Sequence, residues 1–79
     1  MTRSEILDKV MEYILVQLPI DEAMVTEGAS LVDDLGADSA NLMMLIMDLE
    51  DAFDMQVEDE ALGSIKTVGD VVDYIAKRL

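Results

Sequence analysis

The sequence predicts an all-α protein: a four-helix bundle of three main helices and one short helix, with a long ordered loop between the first two. Three observations predict this class. Apolar residues recur at helical spacing in three stretches, capping residues precede each stretch, and no segment shows the alternation of a β-strand. The 79 residues, 52% of them apolar, suffice for one domain with one small core, so we expect a single domain over residues 1–79.

The first helix is predicted from about residue 3 to about residue 17. Thr2 and Glu5 have the spacing of a capping box, with Thr2 as the N-cap. Pro19 disfavours helical conformation at Leu18 and therefore ends the helix. One apolar stripe is expected on it, formed by Leu7, Val10, Met11, Ile14, Leu15 and Leu18.

Residues 19–37 form a long connection, and we expect an ordered loop with one helical turn near residues 21–24. A connection of this length without structure is uncommon in a compact domain. Apolar residues at intervals along it can hold it against the helices. The expected anchors are Ile20, Met24, Val25, Leu31, Val32 and Leu35.

The second helix is predicted over about residues 39–53, with Asp38 as its N-cap after a break at Gly36. Its apolar surface is wider than one core face because three methionines extend it. These methionines either pack within the protein or form a soft, adaptable contact surface. The core face is expected to contain Leu42, Leu45, Ile46, Leu49 and Phe53, and the methionines are Met43, Met44 and Met47.

A short helix is predicted between about residues 59 and 63, where Gly63 stops it. The last helix begins after Thr67, which has capping-box spacing with Asp70. Lys77 and Arg78 suit the negative end of its dipole. Its core face is expected to contain Val68, Val71, Val72 and Ile75.

Charge is strongly one-sided in this chain. Eighteen acidic and five basic residues give a net charge of −13, and no base occurs between residues 10 and 65. Such a field repels nucleic acid and anionic membranes and attracts partners with basic patches, although an excess of charge also serves solubility alone. We therefore expect protein partners and no nucleic acid.

The absence of Cys and His excludes several classes of chemistry. Thiol nucleophiles, disulfides, Ser-His-Asp catalysis and the usual zinc sites all require one of these residues. No secretory leader and no apolar run of about 18 residues is present. We therefore expect a soluble, cytoplasmic monomer without membrane insertion.

Residues 33–39, Asp-Asp-Leu-Gly-Ala-Asp-Ser, are the segment most indicative of function. A serine just inside a helix start lies beside free backbone N–H groups and the positive dipole end, which favours a phosphate diester. Gly36 permits a tight turn and close approach, and Asp38 caps the helix beside Ser39. Because Ser and Asp are also preferred N-cap residues, capping alone is the favoured explanation of this pair when it is read in isolation.

Three patterns at matching spacing resemble the acyl carrier protein family along almost the whole chain. Residues 34–39 resemble its attachment motif, residues 45–53 its second-helix pattern Leu-x-x-x-Leu-Glu-x-x-Phe, and residues 67–75 its last helix. The resemblance implies that a separate phosphopantetheinyl transferase attaches 4′-phosphopantetheine from coenzyme A to Ser39, next to Asp38 and Gly36. It implies a carrier and not an enzyme, which delivers acyl thioesters in fatty-acid, specialised lipid or polyketide synthesis.

The resemblance also implies a docking surface for acyl-transferring and acyl-modifying enzymes with basic patches. A crevice between helices is expected to shelter part of a bound chain, although the main role expected of its five lining residues is packing in the core. These residues are Leu42, Leu45, Ile46, Val68 and Ile75. The residues expected in the docking surface are Asp34, Asp38, Met43, Met44, Met47, Asp48, Glu50, Asp51 and Glu58.

Four positions depart from the family pattern. Ala40 follows the serine where a bulky apolar residue is usual, and Glu58 stands where proline is frequent. Asn41 and Met44 stand where acids occur in members that act in fatty-acid synthesis. These differences indicate a specialised carrier whose partners meet a more apolar surface.

Other classes of function fit the sequence less well. An acidic helical adaptor without covalent modification fits the composition but leaves the attachment motif unexplained. A calcium loop lacks its 12-residue pattern around Asp48, Glu50 and Asp54, and a Ser-Lys enzyme would need Lys9 or Lys66 near Ser39. Within the carriers, Gly-Ala-Asp-Ser at residues 36–39 favours acyl over amino-acid cargo.

The excess of negative charge predicts that salt stabilises the fold. Because fourteen of the eighteen acids lie between residues 10 and 65 with no base among them, they repel one another, and salt screens this repulsion. Raising NaCl from about 10 mM to about 500 mM should raise the melting temperature by about 5 °C, and Ca²⁺ should act similarly. Circular dichroism melts test this, and curves unchanged by NaCl or CaCl₂ would contradict it.

Overall fold

The computed structural model describes residues 1–79 and contains four α-helices in chain order: α1 Arg3–Gln17, α2 Ser39–Phe53, α3 Asp59–Leu62 and α4 Val68–Arg78. A 3-10 turn, Glu22–Met24, lies in the connection between α1 and α2. The only β-type pairing is a single bridge between Ser30 and Thr67. The all-α class, the three main helices, the short helix and the predicted turn are confirmed. None of the helices has the length and apolarity needed to cross a bilayer.

The predicted caps of α1 and α4 are present. Thr67 accepts a hydrogen bond from the Asp70 N–H at 3.1 Å, and the Asp70 carboxylate accepts from the Thr67 N–H at 3.0 Å. Thr2 and Glu5 form the same pair at the start of α1. Hydrogen bonds from the Thr67 and Lys66 N–H groups hold the pKa of Asp70 below its ordinary value, and those from Thr2 lower the pKa of Glu5.

The core is entirely apolar and lies where α1 packs against both α2 and α4. No polar or charged residue is buried. Its largest fully buried side chains are Ile6, Val10, Ile14, Leu31, Leu49, Val68, Val71, Val72 and Ile75.

The predicted stripe of α1 needs one correction. Val10, Ile14 and Leu18 are buried as predicted, but Ile6, which the prediction omitted, is also buried. Buried positions thus recur every four residues. The other predicted members lie one position further on, rotated about 100° away from the centre of the core. They are half-buried at its edge: Leu7, Met11 and Leu15.

Two predicted anchors of the long loop are wrong. Met24 is 46% and Val32 is 54% exposed, because each lies on the outer side of a turn. Val25, Leu31 and Leu35 are buried as predicted, and Ile20 is half-buried. Two small residues that the prediction missed are buried at close backbone approaches, Ala29 and Ala37.

Three backbone hydrogen bonds attach the loop to the start of α4. The Val68 N–H donates to the Ala29 carbonyl at 3.1 Å, and the Gly69 N–H donates to the Glu27 carbonyl at 2.8 Å. The Leu31 N–H donates to the Lys66 carbonyl at 3.0 Å. A Cβ at Gly69 would lie 3.0 Å from the Glu27 carbonyl oxygen, so any other residue there would push the loop away by a few tenths of an ångström.

Arg3 forms an ion pair with an acid in residues 10–65, the stretch of the chain that contains no basic residue. The Arg3 guanidinium, at the start of α1, pairs with the carboxylates of Glu27 in the loop and Asp73 in α4. These hydrogen bonds raise the pKa of Arg3. The expectation that acids between residues 10 and 65 have no nearby base is therefore wrong for Glu27, because the fold brings the N-terminus to the loop.

The Asp70 cap predicts a pH-dependent contribution to stability. Asp70→Ala removes two acceptor contacts at the surface and should lower the free energy of unfolding by about 1 kcal/mol near pH 7. Because the folded-state pKa is depressed, this contribution is complete above the ordinary value of 3.8 and is lost as the pH falls through the lower folded-state value.

Urea titrations of wild type and Asp70→Ala across this pH range measure the difference directly. Asp8→Ala is the matched control, since Asp8 is exposed on α1 and makes no side-chain hydrogen bond. A difference between wild type and Asp70→Ala that stays constant down to acidic pH would rule out this role of the carboxylate.

Candidate functional site

A tight turn over residues 30–37 leads the chain into α2. The Asp34 and Leu35 N–H groups both donate to the Ser30 carbonyl at 3.0 Å, and the Asp34 carboxylate accepts from the Ser30 N–H at 2.7 Å. Leu35 and Ala37 are each only 4% exposed. The turn is therefore fixed by hydrogen bonds on one side and by apolar burial on the other.

Gly36 lies between these two buried residues with a φ of +75°. This left-handed conformation is accessible to glycine without strain and unfavourable for other residues. It lets Leu35 and Ala37 both point into the core while the chain reverses. Gly36 therefore acts on the site through the path of the backbone, and no side chain is needed from it.

Asp38 caps α2, as predicted. Its carboxylate accepts from the Asn41 N–H at 2.8 Å, and the Asn41 side-chain oxygen accepts from the Asp38 N–H at 3.3 Å. Asn41 thus completes a capping box without charge, a role that the sequence prediction missed. The signal was present in the spacing of three residues, but Asn is a less usual partner than Glu or Gln.

Ser39 is the first residue of α2 and is exposed. Its hydroxyl forms no hydrogen bond within the protein, and the backbone N–H groups of Ser39 and Ala40 have no acceptor in the chain. These free N–H groups and the positive dipole end favour a phosphate bound to the serine oxygen. Because Asp38 occupies the cap, the Ser39 hydroxyl remains free for covalent attachment.

An apolar cavity of about 170 Å³ opens beside Ser39. We call it the inner cavity. Ser39 is the only polar residue of its lining, which also contains Leu31, Leu42, Met43, Ile46, Leu62 and Ile65. Its position and lining suit an aliphatic chain attached through Ser39.

The predicted crevice is partly wrong in its lining. Leu42 and Ile46 line the inner cavity as expected, whereas three of the five residues have only their predicted core role: Leu45, Val68 and Ile75. The side of the crevice that was predicted to come from α4 is formed instead by Leu31 from the loop and by Leu62 and Ile65 from the α3 region. These two segments have no strong periodicity, so their position could not be predicted from the pattern of apolar residues.

The three methionines of α2 lie on the surface. Met43, Met44 and Met47 are 61%, 54% and 60% exposed. Of the two alternatives that the sequence left open, internal packing is therefore excluded as their main role. They form an exposed apolar strip along α2 that begins one turn after Ser39, with Met43 also at the mouth of the inner cavity.

The acids expected around this strip differ in their environments. Asp48 is half-buried and accepts from the Gln17 amide at 3.0 Å, and Glu50 is half-buried and accepts from the Val57 N–H at 2.8 Å. Asp51 and Glu58 are exposed, and the Glu58 N–H donates to the Tyr74 hydroxyl at 3.2 Å. Asp48 and Glu50 thus also hold α2 and the following loop in place.

Comparison with known proteins agrees with this geometry. The family described as a phosphopantetheine attachment site matches residues 8–75. An acyl carrier protein of Thermotoga maritima is 51% identical over 78 residues, which cover 99% of this chain and 96% of that protein. An acyl carrier protein of an Exiguobacterium species is 47% identical over 79 residues, with both chains covered completely.

A solved structure shows the same fold. The acyl carrier protein from Enterococcus faecalis, whose structure was described for its high thermal stability, superposes with a TM-score of 0.82. The two chains are 42% identical, and the match covers 98% of each.

Proposed function

The chain belongs to the acyl carrier proteins, a family with a phosphopantetheine attachment site, and from this premise we propose that Ser39 is the residue that bears the arm. The observation that supports this most directly is the free hydroxyl of Ser39 at the exposed start of α2. Two free N–H groups and an apolar cavity lie next to it.

Attachment requires one bond to form on this chain. Ser39 Oγ attacks the phosphorus of the coenzyme A pyrophosphate that bears the pantetheine group. The phosphoanhydride bond breaks, and the nucleotide half leaves with the bridging oxygen. The hydroxyl proton passes to a base on the transferase, because no side chain of this protein hydrogen-bonds Ser39 and the chain has no His or Cys. We accordingly assign Ser39 as an attachment point and the protein as a carrier without catalytic activity of its own.

The neighbouring residues hold the attachment point and leave it accessible. Asp38 fixes the first turn of α2, and Gly36 sets the direction from which the chain enters it. Ala40 has only a methyl group, so it leaves the N–H groups open to phosphate oxygens. When attached, the arm supplies a terminal thiol that holds an acyl group as a thioester, and Leu42 and Ile46 offer that group an apolar surface.

We propose that partners dock on the exposed strip of α2. Met43, Met44 and Met47 supply adaptable apolar contacts close to Ser39. The surrounding acids attract basic patches and accelerate encounter at low salt. These acids are Asp34, Asp38, Asp48, Glu50, Asp51 and Glu58. The partners are then a phosphopantetheinyl transferase and acyl-transferring or acyl-modifying enzymes.

The remaining assignments are that residues 1–79 form a single carrier domain that acts as a cytoplasmic monomer. The net charge of −13 supports the monomer, because copies repel one another.

Mass spectrometry tests the attachment site. After incubation with coenzyme A and a broad-specificity phosphopantetheinyl transferase, wild type should gain the mass of one arm and Ser39→Ala should gain none. Ser4→Ala is the matched control, since Ser4 is another exposed serine near a helix start and should be loaded normally. Loading of Ser39→Ala would refute the assignment, and unmodified wild type would favour a non-covalent adaptor.

Transferase kinetics test the docking strip. The double variant Met44→Ala/Met47→Ala removes exposed contacts without touching the core, and kcat/KM for loading should fall about tenfold, mainly through KM. Val16→Ala is the control, because Val16 is 74% exposed on α1 and outside the strip. Equal kcat/KM values for the double variant and wild type would exclude the strip from transferase docking.

A further inference from the structure

Methionine is the only sulfur-containing residue of this protein, because the chain has no Cys. Of its seven methionines, Met11 and Met55 are half-buried against the core. The other five are exposed: Met1, Met24, Met43, Met44 and Met47. Three of these five form the exposed strip of α2. Most of the methionine sulfur that a dissolved oxidant can reach therefore lies close to Ser39.

The three methionines of the strip are neighbours on the helix surface. Met43 and Met44 precede Met47 by four and three residues, the separations that bring side chains together on an α-helix. Asp48 follows Met44 by four residues and is a neighbour in the same way, as Asp51 is to Met47. Ionised carboxylates accept hydrogen bonds and cannot donate them. A new acceptor atom on the strip would therefore gain no hydrogen bond from these acids.

Oxidation of the methionines creates such an acceptor atom. With hydrogen peroxide, the thioether sulfur attacks one peroxide oxygen, the O–O bond breaks, and the departing hydroxide takes the proton of the transferred oxygen to become water. The sulfur is oxidised by two electrons and the peroxide is reduced by two. The resulting sulfoxide is polar and no longer suits an apolar contact. Under an apolar partner surface, its oxygen would lose its hydrogen bonds to water without replacement.

Resting on the docking strip proposed above, we propose that Met43, Met44 and Met47 form a reversible oxidation site that controls docking. Peroxide converts them to sulfoxides and weakens the binding of partners, including the phosphopantetheinyl transferase. Methionine sulfoxide reductases, one for each sulfoxide epimer, restore the thioethers. In that step two thiols of a reductant become a disulfide, and the sulfoxide oxygen leaves as water. The fold persists through the cycle because all three side chains lie outside the core.

The test uses the protein before loading, which contains no thiol that could consume peroxide. Wild type is treated with hydrogen peroxide, and peptide mass spectrometry measures the sulfoxide at each methionine. The three methionines of the strip should be oxidised several-fold faster than the half-buried Met11 and Met55.

Loading kinetics and circular dichroism then measure the consequence. For the oxidised protein, kcat/KM for loading by the transferase should fall about tenfold, mainly through KM, while the helical circular dichroism spectrum is retained. Treatment with both reductases and dithiothreitol should restore the original kcat/KM.

Two variants separate the strip from the other methionines, and each is compared with its own untreated form. In Met43→Leu/Met44→Leu/Met47→Leu the strip stays apolar and cannot form sulfoxides, so peroxide should leave the kcat/KM of this variant where it was. Met24→Leu removes a methionine that is 46% exposed and lies outside the strip. Peroxide should lower the kcat/KM of Met24→Leu as much as that of wild type.

The proposal is overturned if oxidised wild type is loaded as fast as untreated protein, if peroxide slows the triple variant equally, or if the reductases restore nothing. Unfolding on oxidation would overturn it as well. Slow loading of Met44→Ala/Met47→Ala together with normal loading of oxidised wild type would leave docking on the strip intact and refute only its control by oxidation. Wild type that is not loaded in either state would refute the attachment at Ser39, and this control with it.

Discussion

The attachment of the long loop to the start of α4 is the constraint on which the rest of the structure depends. The hydrogen bonds of Val68 and Gly69 to the loop carbonyls fix the loop at Ala29 and Glu27, and Leu31 bonds back to Lys66. From there the next residues form the hydrogen-bonded turn over residues 30–37 and lead into α2. That path buries Leu31 within the core and turns the chain so that Ser39 begins α2 at the surface. The position of Ser39, the proposed attachment point, is therefore set from α4, and not from α2 alone.

The starts of the three main helices could be predicted from the sequence because they depend on contacts between residues close together in the chain. In the caps at Thr2, Asp38 and Thr67, each N-cap residue bonds to the residue three positions later in the chain. Contacts over so short a separation can be predicted directly from the sequence. The inner cavity could not be predicted in the same way. Its wall combines Leu31, Leu62 and Ile65, which come together only when the loop and α3 pack around α2. Likewise, Val32 and Leu31 are adjacent and equally apolar, yet the turn exposes one and buries the other.

The core and the surface of this small domain have separate physical roles. All buried side chains are apolar, so folding is driven by burial, and the acids stay in water where their charge costs least. Only Arg3 forms ion pairs, with Glu27 and Asp73, and it does so at the surface. A surface pair of this kind adds little stability, but its position reinforces the contact between the loop and α4. The uncompensated acids elsewhere remain available to attract basic partners.

Two residues of α2 that depart from the family pattern, Asn41 and Met44, make its surface near Ser39 less negative and more apolar. Asn41 preserves the capping box without a charge, so the helix start keeps its geometry while the local field becomes less negative. Met44 adds exposed apolar area where an acid would add charge. Steering by charge acts over about 10 Å and sets the rate of encounter, whereas apolar contact acts only after docking and sets the lifetime of the complex. On the docking strip that we propose, a partner is therefore selected less by charge near Ser39 and more by the fit of an apolar surface to three flexible side chains.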